Sequence, residues 1–402
     1  MVGGILLIQW GLLAFLNPLD SLSLALTAVV QWRLGRSWLQ YCARSGRRAV
    51  TARVLLAVYY ALFGLGILAG FPQVAVPLGI KGRPAVAWLG ATAHLWMYTS
   101  AAAWLIYTVL AFGRARFAPP PFNPVRRRVL NAAGGALVAS PLLAVGYGAL
   151  IERTSFRVRE VDLPVPHLPR DLEGLRLVQL SDIHLSAFLS EQELARVIDA
   201  ANQARPHVVL VTGDMISSQG DPLDACLRQL ARLRADAGVL GCMGNHENYA
   251  RAKEYAAREG ARLGIRFLRR QTQQLRFGSA TLNIAGVDYE PISRQRTYLE
   301  GAERMVAPGA VNVLLSHNPD VIPVAAAKGY DVTLSGHTHG GQVTVEILDQ
   351  SLNPARFLTP FVYGLYRTGT RCAYVTRGIG TIGIPARIGA PPEIALLRLR
   401  RA

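Results

Sequence analysis

Three runs of this sequence carry no charge over lengths that only a bilayer or a very deep core accepts. Residues 54–71 and 86–112 contain no Asp, Glu, Lys or Arg, and residues 131–150 form a third, weaker run rich in Ala and Gly. About 20 mostly apolar helical residues suffice to cross a hydrocarbon layer about 30 Å thick. An earlier run, residues 4–32, is broken by Asn17, Pro18 and Asp20. It reads as one kinked span in preference to a re-entrant hairpin. A secretory signal peptide fits it poorly, because no positive charge precedes it and three further runs follow. The expectation is a helical membrane anchor of about four spans over residues 1–150. The competing reading, a soluble hydrophobic bundle, has to accommodate three uncharged runs of this length.

Charge is distributed accordingly. Residues 1–150 hold 13 Lys and Arg against the single acid Asp20, whereas the remaining residues hold 30 against 25. Arg33, Arg36, Arg44, Arg47, Arg48 and Arg53 precede the second run, and Arg114, Arg116, Arg126, Arg127 and Arg128 precede the fourth. Only Lys81 and Arg83 lie between the second and third. Positive loops stay in the cytoplasm, so the fourth span is expected to carry the chain outward. This places the rest of the molecule on the extracytoplasmic side of the inner (cell) membrane as part of a multi-pass protein. The net +17 is thereby read as topology, and nucleic acid is disfavoured as a partner.

Residues 151–174, with Pro164, Pro166 and Pro169, read as an extended connector. From Leu175 to the end the pattern becomes short β-rich runs, each closing on polar residues: LRLVQL before Ser181, HVVLVT before Gly213, GVLGCM before Gly244, VNVLL before Ser316 and YDVTL before Ser335. Helical patterns at 190–204 and 221–235 separate the first three, and Ser190 with Glu193 forms the spacing of a capping box. Strand–helix alternation argues α/β. The later segments 281–287, 342–347, 371–376 and 393–399 lack long helices between them and suggest a second, more antiparallel sheet. Two packed sheets with helices outside are expected.

The polar closures carry the chemistry: Asp182 and His184, Gly213-Asp214, Gly244-Asn245-His246-Glu247, His317, and Gly336-His337-Thr338-His339. In extended backbone, residues i and i+2 point to one side. Asp182 with His184, and His337 with His339, would therefore each present two ligands to one cavity. Carboxylate, imidazole and amide donors without thiolate suit Mn, Fe or Zn, while calcium would call for more carboxylates. A binuclear site needs a bridging carboxylate, and Asp214, between the two ligand groups in sequence, is the candidate. The cysteines Cys42, Cys226, Cys242 and Cys372 form no CxxC pair and read as inert thiols.

These five blocks, in this order, closely resemble the calcineurin-like metallophosphoesterase superfamily, whose pattern is DxH, GD, GNH(D/E), H and GHxH. The resemblance covers roughly residues 170–400, implies a four-layer sandwich for 175–402, and leaves the anchor unexplained. It implies one metal held by Asp182, His184, Asp214 and His339 and a second by Asp214, Asn245, His317 and His337. His246 is then a non-ligand acid or transition-state stabiliser. The implied cofactors are two divalent ions, Mn first, with Fe or Zn as alternatives. The implied reaction is hydrolysis of a phosphodiester or pyrophosphate by a metal-bridging hydroxide, with Asp214 and His246 as the catalytic pair. Many members continue GD as GDxxD, whereas this chain reads Gly213-Asp214-Met215-Ile216-Ser217, which bears on substrate contacts.

A narrower similarity, in Ser335 through Gln342 and in Arg377 through Glu393, is to the membrane-associated bacterial branch that includes UDP-2,3-diacylglucosamine pyrophosphatase-like phosphodiesterases. It implies a phosphorylated, lipid-linked substrate, which sits uneasily with an extracytoplasmic domain. A phosphoprotein phosphatase, a nuclease, and a non-catalytic membrane phosphate sensor are the alternatives. Arg377 and Arg387 are weighed as phosphate contacts against ordinary loop arginines. His207 reads as structural, His94 and His167 have no motif support, and Gly378–Gly383 reads as a tight turn near the site.

Overall fold

The computed structural model describes residues 18–44, 49–70, 83–116, 123–347 and 350–402. The chain divides into two compact units, Met1–Gly79 with Leu89–Val145, and Ile80–Trp88 with Gly146–Ala402.

The first unit is helical: α1 (Pro18–Arg44), α2 (Ala49–Gly70), α3 (Pro84–Arg116) and α4 (Pro124–Leu150). Among the described residues three stretches, Ala49–Gly70, Pro84–Arg116 and Pro124–Thr154, are long and apolar enough to cross a membrane. Their surfaces are apolar as well: Leu62, Leu65, Phe112 and Leu143 are all exposed, as lipid-facing side chains are and those of a soluble bundle are not. The start of the run expected over 4–32 lies outside the described residues. The described part of α1 runs from Pro18 beyond Trp32 to Arg44. Arg33, Arg36 and Arg44, expected in a loop, therefore lie on α1, and Arg114 and Arg116 lie in the last turn of α3. Gln31 of α1 donates to the Ser100 hydroxyl of α3 at 2.8 Å, both buried, a polar clasp of the kind that joins helices in lipid.

In the second unit, six strands form the first sheet: β1 (Arg157–Val165), β2 (Arg176–Leu180), β3 (Val208–Thr212), β4 (Val239–Cys242), β5 (Ile265–Phe267) and, from the far end of the chain, β14 (Glu393–Arg401). Their order is β1-β14-β2-β3-β4-β5. The second sheet takes β6 (Gln271–Phe277), β7 (Ala280–Gly286), β8 (Val311–Leu315), β9 (Val332–Ser335), β12 (Gly364–Thr368) and β13 (Arg371–Val375), in the order β12-β13-β9-β8-β7-β6. β10 (Val345–Ile347) and β11 (Gln350–Leu352) pair separately.

Within residues 151–174, expected as an extended connector, Arg157–Val165 form β1 of the first sheet, running parallel to β14 along nine residues. The last strand, expected in the second sheet, joins the first. The second sheet is mixed, antiparallel only at its two outer pairs β12–β13 and β6–β7. Gln342, expected to open a strand, has left-handed backbone with φ 57.

Strands β2, β3 and β8 read as nearly unbroken apolar runs because both faces of each sheet are covered. Leu177, Val208 and Leu210 pack between the sheets against Ile284, Val313 and Leu334. Val178, Val209 and Val211 face outward under α5 (Glu191–Gln203), α6 (Leu223–Leu230) and α8 (Lys253–Arg262). The second sheet is covered in turn by Tyr298, Leu299, Tyr330 and α9 (Ile322–Ala327). Helix α5 carries the expected capping box, Glu193 amide to Ser190 hydroxyl and Ser190 amide to Glu193 carboxylate. The short α7 (Asn245–Tyr249) completes the helices. Since β2, β3 and β4 are parallel, and β7, β8 and β9 likewise, their C-terminal ends collect at one edge of each sheet.

Candidate metal centre

Each predicted ligand follows one of those strand ends. Asp182 follows β2, Asp214 β3, Asn245 β4, His317 β8, and His337 and His339 β9. Gln179, pointing between the sheets, donates to the Thr212 hydroxyl at 2.9 Å and to the Ser335 carbonyl at 3.0 Å, which ties three of these ends together.

The donor atoms converge in overlapping groups. Asp182, His184 and His339 form one, Asp214, His317 and His337 another, and His184, Asp214 and His246 a third, with the atoms of each group within 4.8 Å of one another. The two rings of His184 and His339 approach Nε2 to Nε2 at 3.1 Å, His339 Nε2 stands 3.3 Å from Asp182 Oδ1, and His184 Nε2 stands 3.5 Å from Asp214 Oδ2. His317 Nε2 is 3.0 Å from Asp214 Oδ2. Ligand atoms each about 2.1 Å from one divalent ion are separated by about 3.0–3.4 Å in octahedral or tetrahedral arrangements. The observed separations match that edge. Asp214 is common to the second and third of these groups.

Two further observations fit a metal. The side-chain oxygen of buried Asn245 has no hydrogen-bond partner, and His317 Nε2, though close to Asp214, is misaligned for a hydrogen bond. The opposite nitrogens of two rings are pinned: His317 Nδ1 donates to the Thr212 carbonyl at 2.7 Å, and His184 Nδ1 lies 3.1 Å from the Ser217 hydroxyl. The ligating nitrogens are thereby left facing the cluster.

Burial, only partly opposed by Asp214, pushes the His184 ring down to about 3. Burial and the neighbouring His317 push His337 to about 4, and burial with Arg387 holds His339 well below the ordinary histidine value. Burial disfavours charge on His317 too, but Asp214 and Asp182 outweigh it and lift that ring to about 10. Three imidazoles are therefore neutral near pH 7, with lone pairs free to bind an ion.

Pleated strand geometry does not place these ligands. Asp182, His184, Asp214, His337 and His339 all have left-handed backbone, with φ of 52, 48, 55, 75 and 53. His337 and His339 consequently go to different halves of the site, not to one side as extended backbone would send them. Glycines make room for these turns: a Cβ on Gly244 would strike Asp214, and one on Gly336 would strike Ser181 and Asp182.

The calcineurin-like phosphoesterase family matches residues 175–341. This part of the chain belongs to the calcineurin-like metallophosphoesterases. The chain is 32% identical over 280 residues to a Danio rerio transmembrane protein with metallophosphoesterase domain, covering 66% of this chain and 62% of the relative. It is 29% identical over 282 residues to the metallophosphoesterase YkuE of Bacillus subtilis (strain 168), covering 68% of this chain and 97% of YkuE. The chain thus spans less than two thirds of the Danio rerio protein and nearly all of YkuE. With its three apolar helices, it is a membrane protein carrying a metal-dependent phosphoester hydrolase domain.

Further side chains organise the phosphoesterase centre, and two of them, Ser217 and Glu247, stand in the sequence motifs without the role they have here. Ser217, where many members have Asp, touches His184 through its hydroxyl and accepts from His246 Nδ1 through its carbonyl at 2.5 Å. Glu247, fully buried, accepts the backbone amides of Asp214, Met215 and Gly244 at 3.0, 2.7 and 2.8 Å, clamping two metal-site loops together. Arg387, expected as a possible phosphate contact, is fully buried. It donates to the carbonyls of Gly380, Ala390 and Arg377, so it holds a loop and is not free for substrate. That loop includes Gly378–Gly383 and reaches the site: the Gly380 amide donates to the Asp182 carbonyl at 2.7 Å. Arg377 lies over the Tyr363 ring, 4.2 Å from its centroid. His207 accepts the Arg176 amide at Nδ1, a structural role as expected. The four cysteines are free and buried.

Proposed function

We propose that this chain is a membrane-anchored phosphodiesterase or pyrophosphatase that works with two divalent metal ions, Mn first among them, on a phosphorylated substrate at the membrane surface. The observation that supports this best is the doubling of the donor set around Asp214: one group with His184 and His246 and another with His317 and His337, sharing that one carboxylate. Ions bound there would neutralise charge developing on the phosphoryl oxygens and activate water for in-line attack.

The protein's own contributions follow from placement. Asp182, His184 and His339 would hold one ion, Asn245, His317 and His337 the other, and Asp214 both. His246 sits next to this set without joining the closest contacts, its Nε2 4.0 Å from Asp214 Oδ2. Its Nδ1 proton is committed to the Ser217 carbonyl, so Nε2 is the atom that gives a proton to the leaving oxygen or a hydrogen bond to the phosphoryl group. Membrane anchorage favours a lipid-linked or membrane-proximal substrate. The loop charges favour a domain outside the cytoplasm, which weighs against a nucleotide-linked lipid.

The test is turnover by the purified full chain in detergent with bis(p-nitrophenyl) phosphate and Mn, Fe or Zn in turn, alongside metal analysis. Turnover with about two ions per chain supports the proposal. Bound metal without turnover on diester, pyrophosphate or monoester substrates would leave a phosphate sensor in its place.

A further inference from the structure

A cleft of about 1010 Å³ opens where the edge strands of the two sheets, β5 and β6, come side by side, with α8 and the segment after β7 as its walls. Six cationic side chains line it: Lys253 and Arg258 from α8, Arg266 from β5, Arg269 and Arg270 from the β5–β6 turn, and Arg294 after β7. Among the described residues three carboxylates face them, Asp288 and Glu290 in the lining and Glu254 beside it, 3.1 Å from Arg269, and all three are engaged. Asp288 takes Arg269 through three contacts, at 3.1, 3.2 and 2.9 Å, and Lys253 at 3.4 Å. Glu290 meets Arg270 at 3.4 Å while its other oxygen accepts the Leu299 amide at 2.8 Å. Among the described residues no carboxylate pairs with Arg258, Arg266 or Arg294. Of these, Arg266 bonds to Gln273, and Arg258 and Arg294 are exposed.

The cleft adjoins the metal centre. Tyr289, between Asp288 and Glu290, lines the cleft, and its ring centroid is 5.1 Å from that of His337 and 6.0 Å from that of His317. Charged residues on edge strands also discourage sheet-to-sheet aggregation, which accounts for Arg266. It does not account for arginines on a helix and on a post-strand turn converging on the same concavity. A surplus of guanidinium groups in a concave surface recognises phosphate, bidentately and with long-range attraction.

Resting on the hydrolase reading above, we infer that this cleft is a subsite for a second phosphate, so that the substrate carries a phosphate group beyond the one cleaved. Arg258 and Arg294 would contact that group, and Arg269 and Arg270, held by their acids, would set the shape of the floor. The group could belong to a soluble diphosphate ester or to an anionic lipid headgroup, and the experiment separates these.

The full-length, Mn-loaded chain in detergent micelles would be assayed on bis(p-nitrophenyl) phosphate as a one-phosphate reference, on ADP-ribose, and on phosphatidylinositol 4-phosphate in mixed micelles. The double variant Arg258→Ala/Arg294→Ala is expected to lower kcat/KM for a two-phosphate substrate, relative to the reference, at least tenfold. The charge-matched pair Arg196→Ala/Arg205→Ala, outside the cleft, should shift that ratio less than twofold. A loss confined to ADP-ribose identifies a soluble substrate, and one confined to the lipid identifies a headgroup. An unmoved ratio, or a wild type that cleaves the reference but neither two-phosphate ester, overturns the subsite. Should the wild type cleave none of the three, the hydrolase reading fails on its own. Tripolyphosphate binding by calorimetry then decides for the cleft: about tenfold weaker binding by the double variant supports it, and equal affinity overturns it.

Discussion

The residues that converge on Asp214 are held by neighbours that have no ligand chemistry of their own. Backbone at positive φ costs of order 1–3 kcal/mol per non-glycine residue, and five such residues cluster here, so the surrounding contacts must enforce the geometry. The ligands themselves were legible because Asp, His and Asn at strand ends, flanked by glycine, form an unusual pattern. Ser217 stood out only as a departure from GDxxD read as bearing on substrate contacts, and its placement next to both His184 and His246 gives it a different role. Removing the hydroxyl in Ser217→Ala frees the His184 ring while leaving the carbonyl contact to His246. Metal affinity should fall about 10–100-fold, read by titration of the apo-protein, with the far-ultraviolet spectrum unchanged. His246→Ala should behave in the opposite way, keeping metal content near wild type while turnover drops about 100-fold or more. Asp214→Ala should empty at least one metal position. Equal metal loss in the His246 and Asp214 variants would refute the division of roles.

At the scale of elements, the polar loops are positioned by their anchors as much as by their strands. Glu247 shows this most directly: with its carboxylate removed in Glu247→Ala, three buried amides from two loops lose their acceptor. An unsatisfied buried donor costs about 1–3 kcal/mol, so a loss of about 3 kcal/mol or more is expected in denaturant melts. Glu247→Gln should recover part of it, since one amide oxygen remains. Strands β2, β3, β4, β8 and β9 could be read from sequence because each is a short apolar run ended by glycine or a polar cluster. β1 could not, because Pro164, Pro166 and Pro169 argue against a strand. The structure accommodates Pro164 because β1 is an edge strand paired only on the β14 side, where a missing amide on the open side costs nothing. The same alternating pattern cannot say which of two sheets a strand joins, which is why β14 was expected with β13 and lies instead between β1 and β2. Helix 221–235 also came out shorter, as Leu223–Leu230, since Pro222 restricts its start.

For the whole molecule the consequential question is which side of the membrane the phosphoesterase domain occupies, because that side limits the substrates it meets. Eleven of the 13 basic residues within 1–150 flank the second and fourth apolar runs, and only Lys81 and Arg83 fall between the second and third. By the positive-inside rule that asymmetry predicts an orientation in which α4 leads the chain out of the cytoplasm. Labelling by a membrane-impermeant maleimide is well suited to the test, because all four native thiols are buried, and a single introduced cysteine reports alone. Gln274 on the outer strand β6 is exposed and away from the metal ligands, so Gln274→Cys should label in intact cells without permeabilisation. Labelling that appears only after the membrane is opened would place the domain in the cytoplasm. It would then restore nucleotide-linked lipids as candidate substrates, and a two-phosphate requirement at the basic cleft would point to the diphosphate bridge of such a lipid.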